Sequence, residues 1–106
     1  DRLAQLLSLA REEAQGRGRP IRLAADRHGY RFVLLSERRW VPLEGDEQLR
    51  ARSWEAPTIL EVKRPDGARE VEFGRDAVDV PFTIVLARDD ASATIVANGL
   101  GFFEVR

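Results

Sequence analysis

Near the start of the chain Leu3, Leu6, Leu7, Ala10 and Ala14 recur at i, i+3, i+4, i+7 and i+11, the spacing of one apolar stripe on a 3.6-residue helix. Arg2, Gln5, Arg11, Glu12 and Glu13 take the other side. The pattern predicts a helix over Asp1 to Gln15, inside a helical segment 1–16, which the breakers Gly16, Gly18 and Pro20 bring to an end. This helix starts abruptly at the first residue, so we expect its C-terminal part to be what meets the rest of the fold.

From Ile21 onward the period changes to two, or to short apolar runs bounded by turn residues, which is the signature of antiparallel strands. Strands are predicted at Ile21 to Ala25, Tyr30 to Leu35, Trp40 to Leu43, Thr58 to Lys63, Arg69 to Phe73, Phe82 to Ala87, Thr94 to Ala97 and Phe102 to Val105. His28-Gly29, Ser36 to Arg39, Pro65-Asp66-Gly67, Arg88 to Ala91 and Asn98-Gly99 supply hairpin-type turn chemistry between them. Glu44 to Pro57 is too charged and irregular for a strand and is expected to carry the chain from one sheet to the other. About eight short strands bury their apolar faces only if two sheets pack together. The expected fold is therefore α+β, one domain over 1–106, with the helix laid on a two-sheet antiparallel β-sandwich spanning 20–106.

Composition narrows the chemistry. The chain has 106 residues, no Cys, no Met and a single His, which excludes disulfides, thiolate zinc sites and thiol nucleophiles. With 17 basic and 18 acidic side chains the net charge is −1, too balanced for non-specific coating of nucleic acid. The charge is split, however, with +3 over residues 1–53 and −4 over 54–106. His28 reads as a hairpin-tip residue. Glu12-Glu13 and Asp89-Asp90 are adjacent in sequence, so spacing does not aim either pair at a common substrate. Asp76 and Asp79 have hard-cation chemistry but lack the alternating ligands and central Gly of a calcium loop. Gly99 and Gly101 lead into a strand, without the helix N-terminus that a phosphate loop needs. Tyr30, Phe32, Trp40 and Trp54 interleave with Arg31, Arg38, Arg39, Arg50 and Arg52, a pattern compatible with single-stranded nucleic acid. Tyr30 and Phe32 share one strand face, so core packing is the better reading, and Trp54 on the long loop is the least constrained of the four.

Three blocks of residues resemble a known family. They are Leu6 to Ala14, then Arg17, Gly18, Arg19, Pro20, Ile21 and Leu23 leading to Tyr30 and Phe32, and at the far end Val71 to Phe73, Pro81 to Leu86 and Ile95 to Gly101. In order and spacing they are similar to the minor pseudopilin H of type II secretion systems and to the related minor pilins of type IV pili. The resemblance implies a non-enzymatic building block near the tip of the pseudopilus, serving export of folded proteins across the outer membrane. The residues themselves, with no Cys, one His, no complete calcium loop and a net charge of −1, lead us to expect no cofactor, no metal and no nucleic acid. The partners the resemblance implies are other minor pseudopilins, the major pseudopilin and secreted cargo. It carries no contact residue over to this chain; our own candidates, on the helix and the long loop, are Arg2, Gln5, Leu9, Arg11 and Trp54. The resemblance also implies a single-pass protein of the inner membrane with this domain in the periplasm. A helix whose stripe is already running, in a chain without Met, then leads us to expect a short leader and roughly 20 mostly apolar residues upstream, enough for about 30 Å of hydrocarbon.

Two rival readings differ in class or system. A type IV minor pilin, including one that touches DNA, shares the fold. A small hydrolase or ligand-binding sandwich using the scattered carboxylates requires a concave pocket with convergent polar groups.

Overall fold

The computed structural model describes residues 2–43, 45–74, 76 and 78–106; Asp1, the first residue of the predicted helix, lies outside them. Helix α1 runs Arg2–Arg17. The helix runs on past the predicted breaker Gly16, and the stop is set by Gly18, which takes φ 66°. The Arg19 N–H then donates to the Ala14 carbonyl at 3.2 Å, the closing bond of a Schellman cap. Leu3, Ala4, Leu6, Leu7, Ala10 and Ala14 are all buried. The helix is therefore embedded from its first turn, not only at its C-terminal end, because the apolar stripe is continuous and both sheets extend beneath it.

Among the described residues nine strands follow: β1 Ile21–Ala25, β2 Gly29–Ser36, β3 Arg39–Pro42, β4 Arg52–Ser53, β5 Ile59–Lys63, β6 Val71–Phe73, β7 Phe82–Arg88, β8 Ala91–Ala97 and β9 Phe103–Val105. One sheet has the order β3-β2-β1-β6 with β4 also paired to β2, and the other has the order β5-β7-β8-β9. Every pairing is antiparallel. In the first sheet Leu23 sits between Phe32 and Val71, and Ile21 between Leu34 and Phe73. In the second Ile84 faces Ile95 and Phe82 faces Ala97. These inward rows and the helix stripe form one core, with α1 resting on β9, β1 and β6.

Two expectations are corrected here. The 44–57 segment carries the chain between sheets as expected, yet it contains β4, anchored where Gly29 and Tyr30 pair with Ser53 and Arg52. It is also pinned by Leu49, 2% exposed, and by Asp46, whose carboxylate accepts the Gln48 and Leu49 N–H groups. The Pro65-Asp66-Gly67 segment is a turn, with Gly67 at φ 78° and its N–H on the Arg64 carbonyl. It does not close a hairpin: β5 joins β7 while β6 crosses to β1, because turn chemistry fixes a reversal but not which sheet receives the next strand.

The β2–β3 turn puts Glu37 and Arg38 at φ 50° and 69°, left-handed conformations that favour Asn and Gly in two-residue hairpins. Replacing Glu37 and Arg38 by Asn-Gly should raise stability by about 1 kcal/mol, read as a higher urea midpoint at an unchanged slope. A drop in the midpoint would show that these side chains carry contacts outweighing the strain.

Candidate partner-binding surface

Helix α1 divides the predicted contact residues between two faces. Arg2 and Gln5 are exposed on its outer side, and Leu9 is half-buried and packs on the core margin. Arg11 turns inward, and its Nε donates to the Asp79 carboxylate at 2.9 Å with side-chain exposures of 13% and 6%. Trp54 is half-buried on the 44–57 segment. Its indole sits 4.6 Å from the Tyr30 ring, and Nε1 donates to the Asp26 carbonyl at 2.9 Å. The structure brings Arg2 and Trp54 to one cleft and leaves Gln5, Leu9 and Arg11 outside it.

Around Arg11 the chain builds a tight knot. Asp79 accepts the Gly74 N–H at 3.0 Å, and its own N–H donates to the Gly99 carbonyl at 2.8 Å. Gly99 at φ 82° and Gly101 at φ 94° make the β8–β9 turn. A Cβ on Gly99 would lie 2.4 Å from the Asp79 carbonyl oxygen, and one on Gly101 2.6 Å from Arg11 Nη1. The glycine pair is thus a close-approach device, in accord with its reading as a turn and not a phosphate loop. Asp79, which has the chemistry to ligate a hard cation, spends its charge on Arg11. The Asn98 carboxamide oxygen accepts the Leu100 and Phe102 N–H groups.

The same knot pushes apolar side chains outward. Leu100 and Phe102 are 63% and 69% exposed at the turn, and Val78 and Val80, flanking the bonded Asp79, are 64% and 40% exposed. Clustered exposed apolar residues of this kind mark contact surfaces more often than random surface. None of the four was singled out as a contact residue from sequence. The available signal was Phe102 beside Phe103: neighbours on a strand point to opposite faces, and Phe103 packs inward against Phe73 and Phe82.

The other aromatic and basic residues resolve into structure. Tyr30 and Phe32 are buried. The Arg22 guanidinium lies 4.2 Å over Trp40 while its Nε bonds Glu72 at 2.6 Å. His28 is exposed at a hairpin tip whose Asp26 carboxylate accepts the His28 and Gly29 N–H groups at 2.8 and 3.0 Å. Those bonds, the His28 one foremost, hold the Asp26 pKa below 3.8. A folded pKa below the unfolded one means the stabilisation is present above the unfolded value and is lost as pH falls through the folded value. An NMR titration of Asp26 should therefore give a midpoint below the ordinary aspartate value. A midpoint at or above the ordinary value would contradict the turn geometry.

Gly29 has a packing role as well, since a Cβ there would lie 2.3 Å from the Arg52 carbonyl oxygen. Gly29→Ala should detach β4 and cost about 2 kcal/mol through the forced backbone shift. Hydrogen exchange at Arg52 and Trp54 reads this directly, and unchanged protection there would refute it.

Among the described residues no cluster of three or more metal-ligating side chains is found, and no helix is long and apolar enough to cross a membrane.

One helix bedded on two antiparallel sheets is a fold found in solved minor pseudopilins. Solved structures with this fold include the minor pseudopilin EpsH from the Type 2 Secretion System of Vibrio cholerae. It has a TM-score of 0.74 and 18% identity, with 98% of this chain and 90% of that chain covered. GspH of E. coli, solved in solution, gives a TM-score of 0.71 and 20% identity, covering 99% and 82% of the two chains. No curated protein gives a significant sequence match. The family described as type II transport protein GspH matches residues 1–101, and the chain belongs to that family, the minor pseudopilins H of type II secretion. Of the two systems to which the sequence bears a resemblance, this selects type II secretion over the type IV pilus.

Proposed function

We propose that the chain is a non-enzymatic subunit of the type II secretion pseudopilus, assembling with other minor pseudopilins and the major pseudopilin near the tip and serving export of folded proteins across the outer membrane. In this reading a helix upstream anchors it in the inner membrane, the described domain stands in the periplasm, and secreted cargo is met there. The observation that carries it is the exposed apolar cluster of Val78, Val80, Leu100 and Phe102, held rigidly beside α1 by the Arg11–Asp79 pair. A rigid apolar patch flanking the helix suits lateral packing in a filament, where the desolvated centre of an interface carries most of the affinity.

The test is co-purification of the full-length protein with the other minor pseudopilins of its system, comparing native protein with Phe102→Asp and Leu100→Asp. Both side chains are mostly solvated, so the melting temperature should hold. Recovery of the partners should fall by about tenfold or more, as for loss of an interface anchor, together with secretion. Undiminished recovery and secretion from folded variants would refute the reading.

A further inference from the structure

Between the start of α1, the β4 segment and the β7–β8 hairpin opens a cleft of about 830 Å³, well within the range of ligand-binding clefts. Its walls concentrate positive charge in a chain whose net charge is −1. Arg2, Arg50, Arg52 and Arg88 line it, against one carboxylate among the described lining residues, Glu55. A second cleft, of about 560 Å³ between β1, β6 and β5, has no such bias, because Arg69 there meets Glu61 and Glu70.

The arginines are only partly committed. Arg52 Nη2 donates to the Gln48 carbonyl at 2.9 Å, while its Nε is buried and has no hydrogen-bond partner. Arg88 Nε donates to Thr58 Oγ1. Arg50 Nη1 donates to the Glu47 carbonyl at 3.0 Å and reaches the Glu47 carboxylate, on a side chain that is 91% exposed, at 3.4 Å. Both Arg2 and Arg52 act electrostatically on the Tyr30 hydroxyl, opposing the rise in its pKa caused by burial, so their charges bear on one spot. Trp54, Leu86 and Ala93 add apolar and aromatic surface to the same cleft. A guanidinium fork beside an apolar wall matches a carboxylate carried on a peptide.

The surroundings select among anions. Asp89 and Asp90 are exposed on the turn that joins Arg88 to Ala91, and Glu47 and Glu55 are exposed beside the arginines. A polyanion surface, such as a duplex or an acidic membrane, brings many charges against this acidic rim. A short segment with one or two carboxylates passes it and meets the basic interior.

We infer that this cleft is a receptor for an acidic segment of a neighbouring protein, its carboxylate taken by Arg52 and Arg2 and its apolar flank laid on Trp54. The inference rests on the assembly reading for the source of that segment alone. The titration below uses no partner subunit, so its failure leaves the co-purification result untouched.

The probe is a blocked hexapeptide with an aspartate-glutamate pair between leucines, titrated into the isotopically labelled 106-residue chain and followed by NMR. Signals of Ser53, the Trp54 indole and Ala93 should move and saturate. The matched asparagine-glutamine peptide should bind about tenfold more weakly, as expected when charge-assisted bonds are lost. Arg52→Gln should abolish the response. Because that side chain also braces the 44–57 segment, Arg2→Gln, exposed on the first helical turn, is the second variant and should weaken binding with an unchanged melting temperature. Equal binding of the two peptides, shifts away from the cleft, or full binding by folded Arg2→Gln would overturn the inference. So would tighter binding at the same residues by phosphatidylglycerol vesicles or a short DNA duplex, which would make the cleft a polyanion site.

Discussion

Phe73→Ala is expected to remove about 3–5 kcal/mol of stability, the range for truncating a buried aromatic residue, out of the ~5–15 kcal/mol typical of a whole domain. Phe73 is 1% exposed and stands at the junction of the three layers. It belongs to β6 in the first sheet, yet its ring centroid lies 6.0 Å from Phe82 and 5.9 Å from Phe103 of the second, and those two rings are 6.3 Å apart. Strands β6 and β9 both support α1. Removing the ring therefore leaves a void where both sheets and the helix meet, which local repacking within one sheet cannot fill. Each kcal/mol shifts the melting temperature of a domain this size by ~4–8 °C, so the variant should be largely unfolded at physiological temperature. Val105→Ala is the control, since Val105 sits on β9 at 45% exposure and should cost under about 1 kcal/mol. If urea midpoints put the two variants within 1 kcal/mol of each other, by the linear relation between stability and denaturant, the junction is not where the fold is held.

How much of this was readable from sequence depends on the range of the interaction. The helix stripe and period-two strands are local patterns, and the observed β1, Ile21–Ala25, coincides with its predicted span. β4 was unreadable because its two residues carry no pattern. It is a strand only because Gly29, lacking a Cβ, lets the Arg52 carbonyl approach β2. The β6 crossover was missed for a related reason, since Val71 and Phe73 are apolar enough for either sheet and only the pairing of Val71 with Leu23 decides between them. Of the contact surface, the aromatic pair Phe102-Phe103 held usable information, whereas Val78 and Val80 become a patch only through the bond from Asp79 to Gly99. The cleft joins Arg2 to residues some fifty and ninety positions away, and such an assembly has no signature along the chain.

The least legible contact carries the second large effect. Arg11 and Asp79 are 68 positions apart, and each alone reads as a surface charge. Asp79→Ala is expected to cost about 3 kcal/mol, near the lower end for removing one partner of a buried pair, because it removes the carboxylate that Arg11 Nε bonds and deprives the Gly74 N–H of its acceptor. Asp79→Asn separates these contributions in part: its amide oxygen still accepts from Gly74, so the cost it retains is the lost ion pair together with the NH2 donor it turns toward Arg11 Nε. The double variant Arg11→Met with Asp79→Leu should recover part of the loss, since an apolar pair replaces both charges while the Gly74 N–H still lacks its Asp79 acceptor. The coupling from the full cycle should reach about 1–3 kcal/mol. Additive single effects would show that the two side chains act independently. The consequence for assembly follows from geometry, because Val78 and Val80 flank Asp79 and abut the glycine turn that presents Leu100 and Phe102. Asp79→Asn should therefore weaken partner recovery more than its stability loss accounts for, with Phe102→Asp as the folded reference. Recovery that simply tracks the folded fraction would mean that the pair stabilises the domain without organising the patch.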